Sequence, residues 1–415
     1  MGADELQVDL FLQNMDVFSG GIERTMRLVE FSPHAGIRYT AHLPPTGIPN
    51  AEIRTHVEGL RARDLLEVHD PRRNGRRTRA NGGGDLVAVP TEYWWPAWRR
   101  VRAAGLPGPY CFDFHQLPYL GTLDLLKAVR VDRPTALDLV RVPGVQRRLY
   151  GDSLALSTFQ ALACLASVRA FTLLKDGHIL AITPVVAENL VSLGYGGTLH
   201  VPETPNGIAA DPVEKAMAGD EPVQYDGVYV GRFHPHKGYV DLPRVVAHLK
   251  DRLGRDLRIA VCGSVSFRRH QARFARLARE LGVERDLVVL GRLDRDELYR
   301  TIRRSKMLLY PSYVDGFSLT VLESLCLGVP VVAYNIGALD LIWSRKAAVY
   351  RSPVGDPAAL AGVAAGLHED GTWEAARAAA LRQAPGLLEE FSWERVVRDQ
   401  RRFYERAIEE GGRAS

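Results

Sequence analysis

The sequence predicts an α/β protein built from two doubly wound parallel sheets. Short β-branched runs alternate with helical stretches along most of the chain, which is the order of elements in a parallel sheet. The 415 residues are too many for one ordinary core and suit two domains of roughly 200 residues each. A segment punctuated by Pro and Gly, VPETPNGI at 201–208, interrupts the pattern near the middle. We therefore expect a turn in this segment.

The composition is that of a soluble globular protein, with 46% hydrophobic and 25% charged residues. No uncharged apolar run is long enough to span a bilayer, and the amino terminus MGADELQVDL lacks the basic and apolar regions of a secretory signal. The cysteines lie far apart without a C-x-x-C pair, which predicts core thiols in a reducing cytosol. They are Cys111, Cys164, Cys262 and Cys326. These features favour a cytoplasmic protein.

The amino-terminal half opens with a predicted strand at Gln7–Leu12, which a loop connects to a helix at 22–31. Gly20 and Gly21 precede that helix, where free N–H groups could approach a phosphate, although a glycine pair alone is a weak signal. His115 ends another predicted strand, and a lone histidine is more often structural than catalytic. Strands are predicted at Ile37–His42, Asp85–Val89, Tyr110–Phe114 and Ile179–Thr183, the last with Pro184 beginning a helix.

Two basic segments of this half raise the question of a charged partner. The first, at 71–84, places five arginines within eight positions and predicts a solvated loop or a docking surface for an anionic acceptor or lipid. The second, YWWPAWRRVRAAGL at 93–106, fits a core helix with a basic outer face or a membrane-interface contact. Peripheral contact with the inner face of a membrane therefore stays open. Nucleic acid is not expected, because no aromatic residue interleaves with the arginines of the first segment.

The second half opens with a predicted strand at Gly227–Val230 and the loop GRFHPHKG. Arg232 and Lys237 lie five apart in this loop, and Pro235 prevents it from being helical. Both cations can therefore converge on one anion, such as a diphosphate. The alternative is two solvated surface cations.

Further strands at Ile259–Gly263, Leu287–Gly291 and Met307–Tyr310 complete a second doubly wound sheet. Asp241 is a predicted helix cap and Gly254 a helix stop. No metal site is expected. The D-x-D pattern at Asp294–Asp296 opens a helix, where acidic residues favour the dipole. His234 and His236 have no further ligands near them in sequence.

The stretch 308–342 carries the clearest chemistry. Glu323 lies four residues after Leu319 and four before Leu327, so a helix would place its carboxylate in an apolar stripe. Burial of an unpaired charge costs several kcal/mol, so a polar partner is expected. Asp315 lies eight residues upstream in a loop. The alternative is that Glu323 faces a solvated seam and Asp315 is a turn residue.

The segment DGFSLTVLESLCLGVPVVAY resembles the E-x7-E signature of retaining GT-B-fold glycosyltransferases of the family four group. GRFHPHKG, PNGI, HQLP and the closing FSWE resemble further segments of that family. The resemblance implies two Rossmann-like domains with an interdomain cleft and a C-terminal helix that crosses back. The implied bounds are 1–205 for the acceptor domain, 206–390 for the nucleotide-sugar domain and 391–415 for the helix.

The resemblance also implies a donor site. In the family, the residue matching Glu323 binds the ribose hydroxyls, and the residue matching Asp315 acts at the sugar. Asp315 stands where the family has Glu, so this side chain has one methylene less reach. The implied catalytic residues are Asp315, His115, Arg232 and Lys237. The implied donor-binding residues are Glu323, Gly316, Phe317, Ser318, Gly20, Gly21 and Thr320.

The expected function is that of a retaining, metal-independent glycosyltransferase. It would move a hexose-type sugar from a nucleoside diphosphate sugar to an acceptor hydroxyl of a glycan, a lipid-linked molecule or a small molecule, with no further cofactor. Three alternatives stay open: a nucleotide-sugar epimerase, a phosphorylase, and a non-catalytic nucleotide-sugar-binding relative. A dehydrogenase is not expected, because no predicted strand leads into G-x-G-x-x-G.

Overall fold

The computed structural model describes residues 5–13, 15, 20–70, 84–90, 94–115, 154–171, 177–219, 221–264 and 268–414. The Arg-rich segment, except Gly84, and the Gln116–Pro118 part of HQLP lie outside these ranges. The chain folds into two compact units. The first unit comprises Met1–Leu120, Phe159–Gly207 and Phe391–Ser415, and the second comprises Gly121–Thr158 and Ile208–Glu390.

The first unit contains a parallel sheet of strand order β3-β2-β1-β4-β5-β6-β7. Most residues of its strands are buried, including polar ones, as expected for parallel strands covered on both faces. The strands are β1 Leu6–Phe11, β2 Ile37–His42, β3 Leu66–His69, β4 Leu86–Val89, β5 Tyr110–Phe114, β6 Gly177–Ala181 and β7 Leu199–His200. The helices are α1 Gly20–Phe31, α2 Ala51–Ala62, α3 Trp94–Ala104, α4 Leu154–Phe171 and α5 Pro184–Ser192.

The second unit contains a parallel sheet of strand order β10-β9-β8-β11-β12-β13. The strands are β8 Gly227–Val230, β9 Ile259–Cys262, β10 Leu287–Gly291, β11 Leu308–Tyr310, β12 Val331–Tyr334 and β13 Val349–Ser352. The helices are α6 Ala210–Met217, α7 Leu242–Leu253, α8 Arg268–Glu280, α9 Arg295–Arg303, α10 Leu319–Cys326, α11 Gly337–Leu341, α12 Pro357–Gly366 and α13 Thr372–Glu390. Strand order reverses between β8 and β11, which is the point where open α/β sheets bind ligands.

The last helix, α14 Trp393–Ala414, packs within the first unit. Arg24 on α1 donates hydrogen bonds to Asp113 on β5 at 3.3 Å and to Gln400 on α14 at 3.2 Å, and all three side chains are buried. Gly207 leaves room for the ring of Trp393, since a Cβ there would lie 2.6 Å from it. These contacts fasten the end of the chain to the first sheet.

Most element bounds agree with the sequence analysis to within two residues. One prediction about side chains was wrong: Asp241 occupies the position before α7, but its carboxylate caps no backbone N–H. It instead accepts hydrogen bonds from the hydroxyls of Tyr313 at 2.5 Å and Tyr334 at 3.0 Å. Gly254 ends α7 in a left-handed conformation, and Asp294 caps α9 through the backbone N–H of Glu297, both as predicted.

Within the described residues, no helix is both long enough and apolar enough to cross a membrane. Cys111, Cys262 and Cys326 are buried free thiols, as predicted.

Trp98 of α3 packs edge-on against Tyr110 with ring centroids 4.6 Å apart. Arg100 donates to the backbone carbonyl of Leu12 at 2.9 Å. These contacts favour the core-helix interpretation of the tryptophan-rich segment.

Gly238 lies where the loops after β8 and β11 meet. Its φ is +70°, and a Cβ built there would lie 1.8 Å from the carbonyl oxygen of Pro311. Gly254 has nearly the same backbone conformation, with φ +62°, and open space around its Cβ position. An alanine at either position would strain the backbone to a similar extent, but only an alanine at Gly238 would also overlap a neighbouring atom.

We predict that Gly238→Ala lowers the free energy of unfolding by about 4 kcal/mol or more, because the loops must separate. Gly254→Ala is the matched control and should cost only about 1–2 kcal/mol, the strain of a left-handed alanine. Urea unfolding of both variants measures the difference. Equal losses would show that the contact with Pro311 does not constrain the fold.

Candidate active site at the carboxyl edge of the second sheet

Two loops meet at the carboxyl ends of β8 and β11, which are neighbours in the second sheet although about 80 residues apart in sequence. The carbonyl oxygen of His236 accepts hydrogen bonds from the backbone N–H of Tyr313 at 2.8 Å and the hydroxyl of Ser312 at 3.1 Å. The hydroxyl of Tyr229 donates to the carbonyl oxygen of Lys237 at 3.1 Å. The backbone carrying Lys237 is thus held on both sides.

Lys237 and Asp315 form an ion pair across these loops. The Lys237 Nζ lies 2.5 Å from the Asp315 Oδ2, and the hydroxyl of Tyr310 donates to the same oxygen. The other carboxylate oxygen accepts from the backbone N–H of Ser318 at 3.2 Å. Burial by itself would raise the pKa of Asp315, but the Lys237 ammonium and these hydrogen bonds outweigh it and lower the pKa. Asp315 is therefore ionised at neutral pH.

The Gly316-Phe317-Ser318 turn is fixed by its side chains. Phe317 is buried against Trp343, whose indole N–H donates to the Phe317 carbonyl at 2.7 Å. Ser318 is fully buried and adopts φ +69°, an uncommon conformation for a residue with a Cβ. Helix α10 begins at the next residue, and Thr320 lies in its first turn. The strained residue thus sets the direction in which α10 leaves the loop.

Glu323 lies in the middle of α10 and has the polar partner that its position predicts. The hydroxyl of Tyr299 on α9 donates to its Oε1 at 3.1 Å. Burial raises the pKa of Glu323, although the positive charge of Arg295 and the hydrogen bond from Tyr299 act in the opposite direction. Tyr299 could not be predicted from the sequence, because nothing in its local pattern marks it as the partner of a residue 24 positions away.

Arg232 lies on the same loop as Lys237 and is exposed. Its carbonyl oxygen accepts hydrogen bonds from the hydroxyl of Tyr229 and the N–H of His234. Its guanidinium has no hydrogen bond or ion pair with any residue that the structure describes. Burial, and next the charge of Arg232, lower the pKa of His234 to about 4, so this imidazole is neutral at pH 7.

The remaining predicted site residues belong to the first unit. His115 follows β5, and Gly21 lies against it, since a Cβ at Gly21 would be 2.5 Å from the His115 Nδ1. Burial, and next the charge of Arg24, lower the pKa of His115 to about 3, which keeps the imidazole neutral. A Cβ at Gly20 would meet open space. The first unit thus brings together Gly21 and His115, and the second brings together Lys237, Asp315 and the start of α10.

The second unit therefore presents an ammonium, an exposed guanidinium and two carboxylates on segments that follow the switch-point strands. The cations suit an anion such as a diphosphate, and the carboxylates suit hydroxyl groups. Asp294 caps helix α9, so the D-x-D pattern has the helix-capping role predicted from the sequence.

Comparison with known proteins finds relatives of the second unit. Residues 221–379 match the family model described as "Glycosyl transferases group 1". A D-inositol 3-phosphate glycosyltransferase of Corynebacterium glutamicum is 34% identical over 115 residues, which are 27% of this chain and 28% of the relative. One of Salinispora tropica is 31% identical over 191 residues, or 45% of this chain and 39% of the relative. The matches thus span well under half the length of these curated relatives.

The fold is similar to that of several solved structures over nearly the whole chain. WaaG, described as a glycosyltransferase involved in lipopolysaccharide biosynthesis, superposes with a TM-score of 0.60 at 13% identity, covering 95% of this chain and 99% of WaaG. HepE of Anabaena, solved in complex with UDP and glucose, superposes with a TM-score of 0.61 at 12% identity, covering 95% of this chain and 98% of HepE. The GT-B fold predicted from the sequence is confirmed. The resemblance of the second unit to group 1 glycosyltransferases is confirmed for the matched residues.

We predict that Glu323→Gln makes the ligand-free protein more stable at pH 7. A carboxyl group whose pKa rises on folding destabilises the folded state when it is ionised, and this penalty is absent below its unfolded pKa. The gain should therefore be largest at pH 7 and should vanish toward about pH 4, near the pKa of a free glutamate. Urea unfolding across this pH range measures it.

Glu369→Gln is the control, because Glu369 is exposed. It should leave the free energy of unfolding nearly unchanged at every pH. If the stability of Glu323→Gln relative to the wild type were lower at pH 7 than at pH 4, Glu323 would not be a buried carboxylate with a raised pKa.

Proposed function

We propose that this chain is a retaining glycosyltransferase that moves a hexose from a nucleoside diphosphate sugar to an acceptor hydroxyl. The main observation behind the proposal is the ion pair between Lys237 and Asp315 at the switch point of the second sheet. Arg232 is exposed on the same loop as Lys237. The group 1 match over the same residues supports it. Glycosyl transfer needs a fixed positive charge at the leaving diphosphate and oriented acceptors at the sugar.

In this proposal Lys237 and Arg232 bind the diphosphate. Negative charge accumulates on the diphosphate as the glycosidic bond breaks, and preorganised cations stabilise that charge. The backbone of Lys237 is fixed by Tyr229, so little reorganisation accompanies the reaction. These two cations supply the charge that a divalent metal supplies in other transferases, and we propose that transfer needs no added Mg²⁺ or Mn²⁺.

The carboxylates hold the two sugars of the donor. Glu323, already oriented by Tyr299, accepts from the ribose hydroxyls, and Asp315 with the Gly316–Ser318 backbone contacts the transferred hexose. Lys237 pairs with Asp315 in the ligand-free chain, so an arriving diphosphate competes for the ammonium. When the diphosphate of the donor binds the Lys237 ammonium, the Asp315 carboxylate can accept a hydrogen bond from a sugar hydroxyl.

The names of similar proteins support these substrates. HepE is described in complex with UDP-glucose, and the curated relatives carry the name D-inositol 3-phosphate glycosyltransferase. For this chain we propose a nucleoside diphosphate hexose as donor. Retention of the anomeric configuration would follow if the acceptor hydroxyl attacks the anomeric carbon on the face from which the diphosphate departs. An oxygen of the departing diphosphate takes the proton of the acceptor hydroxyl. This route needs no covalent nucleophile on the protein.

We predict that one of UDP-, GDP- and ADP-glucose raises the melting temperature strongly. A ligand at 100 times its Kd stabilises by about 2.7 kcal/mol. Lys237→Ala should abolish most of this shift and lower kcat by about 10² to 10³, as removal of one preorganised donor does. Lys215→Ala is the control, since Lys215 is 71% exposed in a surface ion pair with Asp296.

An unchanged melting shift and turnover in Lys237→Ala would refute the diphosphate site. Circular dichroism of the variant without ligand excludes unfolding as the cause of a loss. Assays in buffer free of Mg²⁺ and Mn²⁺ should retain full turnover, and a strict requirement for either ion would count against two protein cations at the diphosphate.

We predict that an α-linked donor gives an α-linked product. Proton NMR of the anomeric signal during turnover with an acceptor panel measures the configuration directly. Incubation with donor alone separates the alternatives, because an epimerase isomerises the free donor. Phosphate in place of an acceptor alcohol tests for a phosphorylase. A β-linked product would exclude the retaining mechanism.

A further inference from the structure

A group of side chains of the types that bind metal ions lies in the first unit, apart from every residue assigned above. It consists of His178 on β6, His200 on β7 and Glu410 on α14. Leu180 pairs with His200 in the β6–β7 register, and residues two apart on a strand share a face. Both imidazoles therefore project from the same face of the sheet.

Helix α14 lies against that face. Phe403 packs on the imidazole of His200, with ring centroids 5.0 Å apart. Glu410 follows Phe403 by seven residues, or two helical turns, and so lies on the same side of α14. The helix thus places a carboxylate opposite two histidines.

The distances between the three side chains are close to those of a metal ligand set. His178 Nδ1 lies 3.2 Å and His200 Nε2 lies 3.9 Å from the Glu410 Oε2. One potential ligand atom from each residue lies within 4.8 Å of those of the other two. In a tetrahedral zinc site the ligand atoms are about 3.3 Å apart, from bond lengths near 2.0–2.1 Å. A change of the long Glu410 side chain and small rotations of the two imidazoles would bring the ligand atoms to the spacing of a zinc site.

His200 supplies a second, independent observation. The residue is only 8% exposed, and its Nε2 is buried without a hydrogen-bond partner among the described residues. An unsatisfied buried polar atom is costly and calls for an explanation.

We propose that His178, His200 and Glu410 bind a divalent transition metal ion, of which Zn²⁺ is the best fit. Two imidazoles and one carboxylate form an established zinc ligand set that leaves a fourth position for water. Imidazole ligands favour Zn²⁺, Ni²⁺ or Cu²⁺ over Mg²⁺ or Ca²⁺. Glu410 is 43% exposed, so solvent reaches the fourth position. The ion would tie α14 to the edge of the first sheet, and this site does not depend on the proposed transferase activity.

The test measures metal content and thermal stability of tag-free protein. The stripped protein is mixed with one equivalent of Zn²⁺, desalted and analysed for zinc, and its melting temperature is compared with that of the stripped form. We expect about one retained zinc per chain and a higher melting temperature. Co²⁺ should give the visible absorption of a four-coordinate site, and Mg²⁺ should have no effect.

Four variants make the test specific. His200→Gln and Glu410→Gln should each weaken zinc binding by about 100-fold or more, since loss of outer-shell partners alone costs 10–100-fold. Glu409→Gln and His248→Gln are the controls, because both residues are exposed and lie outside the ligand group. The controls should bind zinc like the wild type.

Two outcomes would overturn the proposal: no retained zinc in the wild type, or equal zinc retention and stabilisation in Glu410→Gln and the wild type. Glu410 is partly exposed, so its substitution should leave the fold intact, and circular dichroism of the metal-free variant checks this. All readouts are independent of sugar transfer, so failure here and failure of the transferase assay are distinguishable.

Discussion

The ion pair between Lys237 and Asp315 is the interaction on which the candidate site depends. Strands β8 and β11 are adjacent only because the sheet reverses its order there, and the two loops would otherwise be far apart. The contact of Gly238 with Pro311 fixes the backbones, and the ion pair fixes the side chains. A charged site on two loops thus acquires the rigidity of the sheet beneath it.

The same site contains features that oppose folding. Ser318 holds a left-handed conformation that costs about 1–2 kcal/mol, and Glu323 holds a carboxylate whose burial raises its pKa. The guanidinium of Arg232 gains no partner among the residues that the structure describes. Stability alone would select against the strained backbone of Ser318 and the buried carboxylate of Glu323, whereas the exposed guanidinium of Arg232 costs the fold little. The concentration of such features within one sheet edge is the pattern expected where a protein gives up stability for ligand binding.

Prediction from sequence succeeded where the signal was local. Strands such as Ile37–His42 and Gly227–Val230 followed from β-branched runs, and the caps at Asp294 and Gly254 followed from one residue and its neighbours. It failed where the partner lay far along the chain. Asp241 has a capping position, yet two tyrosines more than 70 residues away engage its carboxylate. The partner of Glu323 and the His178–His200–Glu410 group escaped for the same reason, since only the folded sheet brings them together.

The hydrogen bonds of its two carboxylate oxygens explain why position 315 has aspartate and not the longer glutamate. One oxygen is shared by Lys237 and Tyr310, and the other accepts from the N–H of Ser318, three residues along the chain. Such a hydrogen bond from a side chain to its own turn suits the length of aspartate. One more methylene would push the carboxylate out of the turn and away from Tyr310. Asp315 therefore shapes the turn that starts α10, and under the proposed function the same carboxylate becomes available to the sugar only when a diphosphate draws Lys237 away.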